Sequence, residues 1–287
     1  MTFSRIGSGL VHWQEGGPRD APAVVLVNSL GTDCRIWDDV AARLAGSHRV
    51  ICYDKRGHGL SDVPPGPYRI ADFTRDLISL ADAIGLRRFS LVGLSIGGLI
   101  GQDLAIRHPD RLAALVLADT APKVGTVESW TARIDAVRKN GMTAIADAVM
   151  ERWFTPAFHS LKPDELAGWR NLLLRQPAEG YVATCEALRD ADLTGDLVRI
   201  AAPTLVVCGD GDQSTPPDLV RAMASRIPGA RFELVAGCGH IPPVEQPEQL
   251  AELIAQHLAE HATSETLPGL RHHGRFDRDW PCVREPL

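Results

Sequence analysis

Short, almost wholly apolar runs alternate with stretches of helical period through residues 1–120. The runs are AVVLVN (residues 23–28), RVICYD (49–54), FSLVGL (89–94) and LAALVLAD (112–119). None alternates polar with apolar residues, so none has a face to give to water. Strands of this kind are covered on both sides, as parallel strands between two layers of helices are. Helical candidates lie between them at 37–44, 70–84 and 96–107. The expected fold class is therefore α/β, with a mostly parallel central sheet and helices on both faces.

The pattern is interrupted once. From residue 121 to 196 no strand signal remains, and amphipathic stretches such as VESWTARIDAVRKNGMTAIADAVMERWF and PDELAGWRNLLLRQ take its place. Strand runs return at 202–210 and 230–237, followed by a helix over 247–261. The expected organisation is a core from 1–120 and 197–262, a helical lid from 121–196 inserted into it, and a tail from 263–287. The tail has neither period and is expected to be extended or poorly ordered. Its paired His272 and His273 lack a third ligand at suitable spacing, so no metal site is expected there.

Composition removes several classes of function. A chain of 287 residues with 45% apolar content can bury a large core, and a net charge of −6 leaves no basic stripe for nucleic acid. The first residues have no apolar signal core, and the longest apolar stretches fall well short of the roughly 20 residues of a membrane span. The reading is of a soluble, cytoplasmic protein with neither nucleic acid nor membrane as partner. The six cysteines are scattered, with no C-x-x-C pair, and Cys52 and Cys208 read as small apolar core residues.

The chemistry is carried by LVGLSIGGLIGQ, in which Gly93-x-Ser95-x-Gly97 stands between a buried strand and a helix. At such a junction the chain turns so sharply that the serine takes a strained backbone angle and needs small neighbours for clearance. The turn holds its hydroxyl above the sheet edge. A serine hydroxyl is a poor nucleophile near neutral pH and needs a general base oriented by a third group. His240, in GCGHIPPVEQPEQL after the last strand, is the candidate base; His58, in DKRGHGLSD, reads as a loop staple. Asp212, in CGDGDQSTPPD, is the preferred acid because it lies far enough into its loop to reach a neighbouring one. Asp210 and Asp119, both at strand ends, are the alternatives. Two backbone N–H groups should face the oxyanion of acyl transfer: that of Ile96, after the serine, and that of Leu30 in VNSLGTD, with Ser29 as the neighbour that could displace it. In ESWTARIDAVRK, Trp130 and Arg133 stand three residues apart and could face a pocket together, the cation reading a substrate anion; Arg138 is nearby. Trp153 and Phe154 read as core of the helical segment.

With these residues in view, the chain resembles the α/β-hydrolase family over residues 3–262. Within it, NSLGTDCRIWDDV, YDKRGHGLSD, GLSIGGLIGQDLAIRHPDRLAALVLADTAPKVGT and GDGDQSTPP are most similar to the bacterial 3-oxoadipate enol-lactonases of aromatic catabolism. The Gly-x-Ser-x-Gly pattern speaks only for the superfamily; the NSLGTD loop and the LADTAPKVGT run are more specific. The resemblance implies an anionic small-molecule substrate, a five-membered enol-lactone bearing an acetate arm, opened by Ser95 to an acyl-enzyme. The enolate leaving group ketonises, and water activated by His240 releases 3-oxoadipate. It implies no metal and no organic cofactor.

Overall fold

A computed structural model describes residues 1–261. The tail expected at 263–287 lies outside the described residues. Eight strands form one sheet: β1 (Thr2–Ile6), β2 (Gly9–Gly16), β3 (Ala23–Val27), β4 (Arg49–Tyr53), β5 (Phe89–Leu94), β6 (Leu112–Ala118), β7 (Thr204–Gly209) and β8 (Arg231–Val235). Their spatial order is β1-β2-β4-β3-β5-β6-β7-β8. Pairing is antiparallel from β1 to β2 and from β2 to β4, and parallel everywhere else.

Every residue of β5, β6 and β7 is buried, as their unbroken apolar sequences require. The helices that cover the sheet are α1 (Asp38–Leu44), α2 (Ile70–Ala83), α3 (Ile96–Arg107), α9 (Pro217–Ala224) and α11 (Pro247–Glu260), the last preceded by the single turn α10 (Pro242–Glu245). Helix α1 packs on α11, and α2 on α3, which lies against β5 and β6. Eleven of the twelve residues of α3 are buried, so this helix is enclosed on all sides rather than amphipathic.

Between β6 and β7 the chain forms α4 (Val127–Asn140), α5 (Ala146–Trp153), α6 (Pro156–Leu161), α7 (Pro163–Leu174) and α8 (Ala178–Asp190), with no strand. Helix α4 starts where the Thr126 hydroxyl accepts the Ser129 N–H at 3.2 Å. It packs along α8, where Arg138 meets Glu186 at 2.7 Å.

Two elements depart from the sequence expectation. The β1–β2 hairpin has no continuous apolar run, because it is an antiparallel edge whose polar residues interrupt its buried ones: Val11 and Trp13 are in the core, and Gln14 and Glu15 are half-buried. Helix α9, for which the sequence reading held no separate expectation, is short, with Pro216 before it and Pro217 as its first residue.

Candidate active site

Ser95 sits at the junction of β5 and α3 with φ 57° and ψ −115°, outside the regions that residues with a side chain ordinarily occupy. Such strain costs about 1–3 kcal/mol and persists only where the surroundings over-determine it. Here the Ser95 N–H donates to the Ala118 carbonyl at 2.9 Å, and the Ser95 carbonyl accepts the Thr120 hydroxyl at 2.7 Å. The glycines give clearance: a β-carbon on Gly93 would strike the Gly97 carbonyl, and one on Gly97 would strike that of Val27.

Asp212 and His240 come from the loops after β7 and β8. His240 Nδ1 lies 2.9 Å from Asp212 Oδ2, with both side chains almost fully buried. Asp212 also accepts the Ser214 N–H at 2.7 Å, the Thr215 N–H at 3.1 Å and the Thr215 hydroxyl at 2.6 Å. Burial pushes its carboxyl up, but the charge and hydrogen bond of His240, with those from Thr215 and Ser214, outweigh burial and hold it below the ordinary value. An ionised Asp212 can only accept, so Nδ1 carries the proton of this contact, and in a neutral ring Nε2 is then the nitrogen with the lone pair. The His240 N–H donates to the Trp153 carbonyl at 2.8 Å, which fixes the backbone of this loop to the end of α5.

The other two carboxylates have different surroundings. Asp210 is exposed and accepts the Cys238 N–H at 3.1 Å. Asp119 is fully buried at φ 45° and accepts the Gly209 N–H at 2.8 Å through Oδ1. Burial and the neighbouring Asp212 charge raise its carboxyl well above the usual range. Asp119, Asp212 and His240 bring one ligating atom each within 4.8 Å, as do His12, Cys34 and Asp54, and His257, Glu260 and His261. In the first two groups those atoms are engaged with one another: His240 with Asp212, and both His12 and the Cys34 thiol with Asp54.

Ser95 and His240 line one cavity of about 140 Å³, together with Ser29, Leu30, Trp130 and Arg133. The volume is comparable to the cavity of about 150 Å³ that accommodates a benzene ring in another protein. No hydrogen bond joins Ser95 Oγ to His240 among the described residues, and such contacts commonly tighten only when substrate binds. The Trp130 indole N–H donates to the Val124 carbonyl at 2.6 Å, which sets its ring, and the Arg133 guanidinium lies 5.2 Å from that ring's centre. Arg138 is spent on Glu186. Leu30 and Ile96 are buried, and among the described residues neither backbone N–H has a hydrogen-bond acceptor.

Sequence reasoning missed several residues of this wall. Arg152 lines the cavity from α5, and neither it nor Arg133 meets a carboxylate among the described residues. In sequence Arg152 is one more charge on an amphipathic helix. Trp153, expected as core, is buried yet also lines the cavity, whereas Phe154 stacks on Phe158 at 4.4 Å within the helical segment. Glu245 accepts the Gly239 N–H at 2.6 Å and the Thr155 hydroxyl at 2.7 Å, tying the histidine loop to that segment. Its position three residues past the Ile-Pro step carried no signal that could have found it.

Residues 24–253 match the alpha/beta hydrolase family. The 3-oxoadipate enol-lactonase 2 of Acinetobacter baylyi is 40% identical over 232 residues, covering 81% of this chain and 86% of that one. The crystal structure of the enol-lactonase from Burkholderia xenovorans LB400 superposes with a TM-score of 0.88 at 37% identity, over 90% of this chain and 100% of that chain. A thermophilic esterase from Thermogutta terrifontis, solved with malate bound, superposes with a TM-score of 0.86 at 30% identity, over 91% of this chain and 100% of that chain. With its model match, its sheet order and these relatives, the chain belongs to the α/β hydrolase family and is a hydrolase.

Proposed function

We propose that this hydrolase opens 3-oxoadipate enol-lactone to 3-oxoadipate through an acyl-enzyme on Ser95, acting as a carboxylic ester hydrolase in aromatic degradation. The observation that carries the reading is a strained serine and a carboxylate-held histidine on one small cavity whose wall also bears two arginines that meet no carboxylate among the described residues. The likeness to enol-lactonases, and to an esterase solved with a dicarboxylate bound, supports a substrate with a free carboxylate.

Ser95 Oγ attacks the lactone carbonyl while His240 Nε2 takes its proton. The negative oxygen of the tetrahedral intermediate is met by the N–H groups of Leu30 and Ile96. Collapse of the intermediate breaks the ring C–O bond. His240 returns the proton to the departing enolate, which ketonises, and then removes a proton from the water that releases the acid and restores the serine. Asp212 holds the imidazole in the tautomer this needs and stabilises its charged form. Helices α4–α8 act as the lid, and Arg133, set on the face of Trp130, grips the substrate carboxylate, with Arg152 as a second cation. No step draws on a cofactor.

The test compares kcat/KM on the enol-lactone with kcat/KM on p-nitrophenyl esters that lack a carboxylate. A preference of two or more orders of magnitude for the lactone is expected. Equal values would leave a general esterase of the same mechanism, and failure to acylate Ser95, read as a mass increment on the protein, would overturn the covalent route.

A further inference from the structure

Lys55 is the one buried lysine or arginine of the described residues, with 1% of its surface exposed. Among those residues no carboxylate comes within ion-pair distance of it. The acids whose charges act on it are engaged elsewhere, Asp33 with Arg35 at 2.6 Å and Asp54 with His12 at 2.8 Å. Taking a cation out of water without a counter-ion is among the costlier things a fold can do. Burial draws the Lys55 ammonium down to about 7, with Asp54, Asp33 and Cys34 pulling the other way. A lysine kept for stability alone would face solvent or a carboxylate.

What Nζ touches gives it another purpose. It lies 2.6 Å from the Ser29 carbonyl oxygen, and as amine or ammonium it donates there. That oxygen belongs to the peptide unit whose N–H is that of Leu30. The only cis peptide of the described chain is Gly66–Pro67, so this unit is trans. In a trans unit the C=O and N–H point in opposite directions within one plane. A donor anchored on the oxygen therefore aims the N–H and, by drawing electron density toward that oxygen, strengthens the N–H as a donor, most of all when Nζ is the ammonium. The next peptide unit is held from the same loop: the Gly31 N–H donates to His58 Nε2 at 3.1 Å, while His58 Nδ1 donates to the Arg56 carbonyl at 3.1 Å. Burial, with the Lys55 charge next, keeps His58 well below its ordinary value, so its ring stays neutral and able to accept. Both peptide planes that flank the Leu30 α-carbon are thus fixed by the loop after β4.

We infer that Lys55 is a positioning residue for acyl transfer, aiming and polarising the Leu30 N–H through the Ser29 carbonyl while His58 holds the following peptide. The inference rests on the reading above in which Leu30 stabilises the oxyanion on Ser95. It assigns a task to the DKRGHG segment, which the reaction itself does not otherwise use.

The test uses the full chain and three variants. Ser95→Ala is measured first: loss of turnover keeps the underlying reading, and turnover near that of the parent overturns both it and the inference. Lys55→Met, close in length and uncharged, should lower kcat roughly 10- to 100-fold with KM within about twofold, since the contact it weakens forms fully only in the transition state. Its thermal midpoint should stay level or rise, because a buried cation has been removed. Thr32→Val removes the other side-chain donor to the Ser29 carbonyl, at 2.9 Å, without touching charge. It should lower kcat by a smaller factor and keeps the idea testable should Lys55→Met not fold. A Lys55→Met protein with unchanged kcat, or one whose kcat falls only alongside a collapsed midpoint, overturns the assignment, as does a Thr32→Val protein with unchanged kcat where Lys55→Met cannot be made.

Discussion

Two aspartate–histidine pairs lie buried in this chain with nearly the same geometry. His12 Nδ1 meets Asp54 Oδ2 at 2.8 Å, and His240 Nδ1 meets Asp212 Oδ2 at 2.9 Å, all four side chains being almost completely buried. They differ at the far ring nitrogen. His12 Nε2 is buried with no hydrogen-bond partner among the described residues, and the Phe3 ring packs 5.2 Å away. His240 instead lines the cavity with Ser95. Asp54 also collects the Cys34 N–H at 2.8 Å, the Cys34 thiol at 2.8 Å and the Leu60 N–H at 2.9 Å, so it knots β2 to the loops after β3 and β4. A carboxylate fixes tautomer and ring direction wherever it meets a histidine. Only a neighbouring nucleophile with access to substrate turns that pair into a base.

The sharpest way to separate the pairs is to remove each histidine. Ser95→Ala and His240→Ala should each lower kcat roughly ten-thousandfold or more, Ser95→Ala leaving the unfolding midpoint near that of the parent, and the double variant should lose little further kcat because the two act as a unit. His12→Ala should keep kcat within about threefold yet lose about 3 kcal/mol of stability, since it leaves the Asp54 charge buried with one partner fewer. Paired kinetics and urea unfolding decide it. A His12 variant as inactive as the His240 variant would erase the distinction.

The acids should divide in the same way. Asp212→Asn is expected to lower kcat by about four orders of magnitude, because the amide cannot hold the imidazole in the required tautomer. Asp54→Asn should be close to the parent in kcat and weaker in stability by about 2 kcal/mol. Burial pushes the Asp54 carboxyl up, but hydrogen bonds from His12, Cys34 and Leu60 outweigh it and hold it below its ordinary value of 3.8, as the corresponding bonds do for Asp212. A depressed carboxyl stabilises the fold fully above its unfolded value and loses that contribution as pH falls through the folded value. Stability of the parent should therefore fall steeply below about pH 4, and the Asp54→Asn protein should show a shallower acid limb.

How far these pairs could be read in advance differs from region to region. Strands β3 to β7 were legible because double-sided burial writes itself as an unbroken apolar run. The β1–β2 edge was not, since His12, Gln14 and Glu15 break any such run although His12 is buried. Ser95 announces itself through the glycines its turn requires, and the chain order of Asp212 and His240 narrows the search. The sequence favours Asp212 over Asp119 only by its place further into a loop, Asp119 standing directly at a strand end; which loop reaches across to the imidazole is decided by the fold. Lys55 was invisible for a related reason. A lysine among Asp, Arg, Gly and His reads as solvated loop, and its burial follows only from the loop folding back over residues 28–33.

The helical segment α4–α8 offers a smaller effect and a cleaner contrast of substrates. Arg133→Ala should cost roughly 2 to 4 kcal/mol in kcat/KM on the carboxylate-bearing lactone and almost nothing on a neutral ester, because a guanidinium can grip a carboxylate with two parallel hydrogen bonds in a shielded site. Arg152, more exposed on α5, should contribute less to the same preference. Equal losses on both substrates would mean that Arg133 braces Trp130 and does not read charge.

The smallest effect is expected at Asp119, one of the two alternatives to Asp212. Asp119 already has the positive φ that asparagine tolerates, and its Oδ1 takes one backbone N–H that an amide oxygen can also accept. Asp119→Asn should therefore keep kcat within about threefold of the parent, against about four orders of magnitude at Asp212. Its stability should differ with a distinctive sign. Burial and the Asp212 charge hold the Asp119 carboxyl well above 3.8 in the folded chain. A raised carboxyl contributes stability that is complete below the unfolded value and is lost as pH rises through the folded one, the reverse of Asp54. Asparagine does not titrate, so the variant should gain on the parent steadily from about pH 4 upward, read as a growing difference in urea midpoint. A difference that stays flat with pH would show that Asp119 does not carry its proton in the fold. A large loss of kcat would make it, and not Asp212, the acid that serves His240.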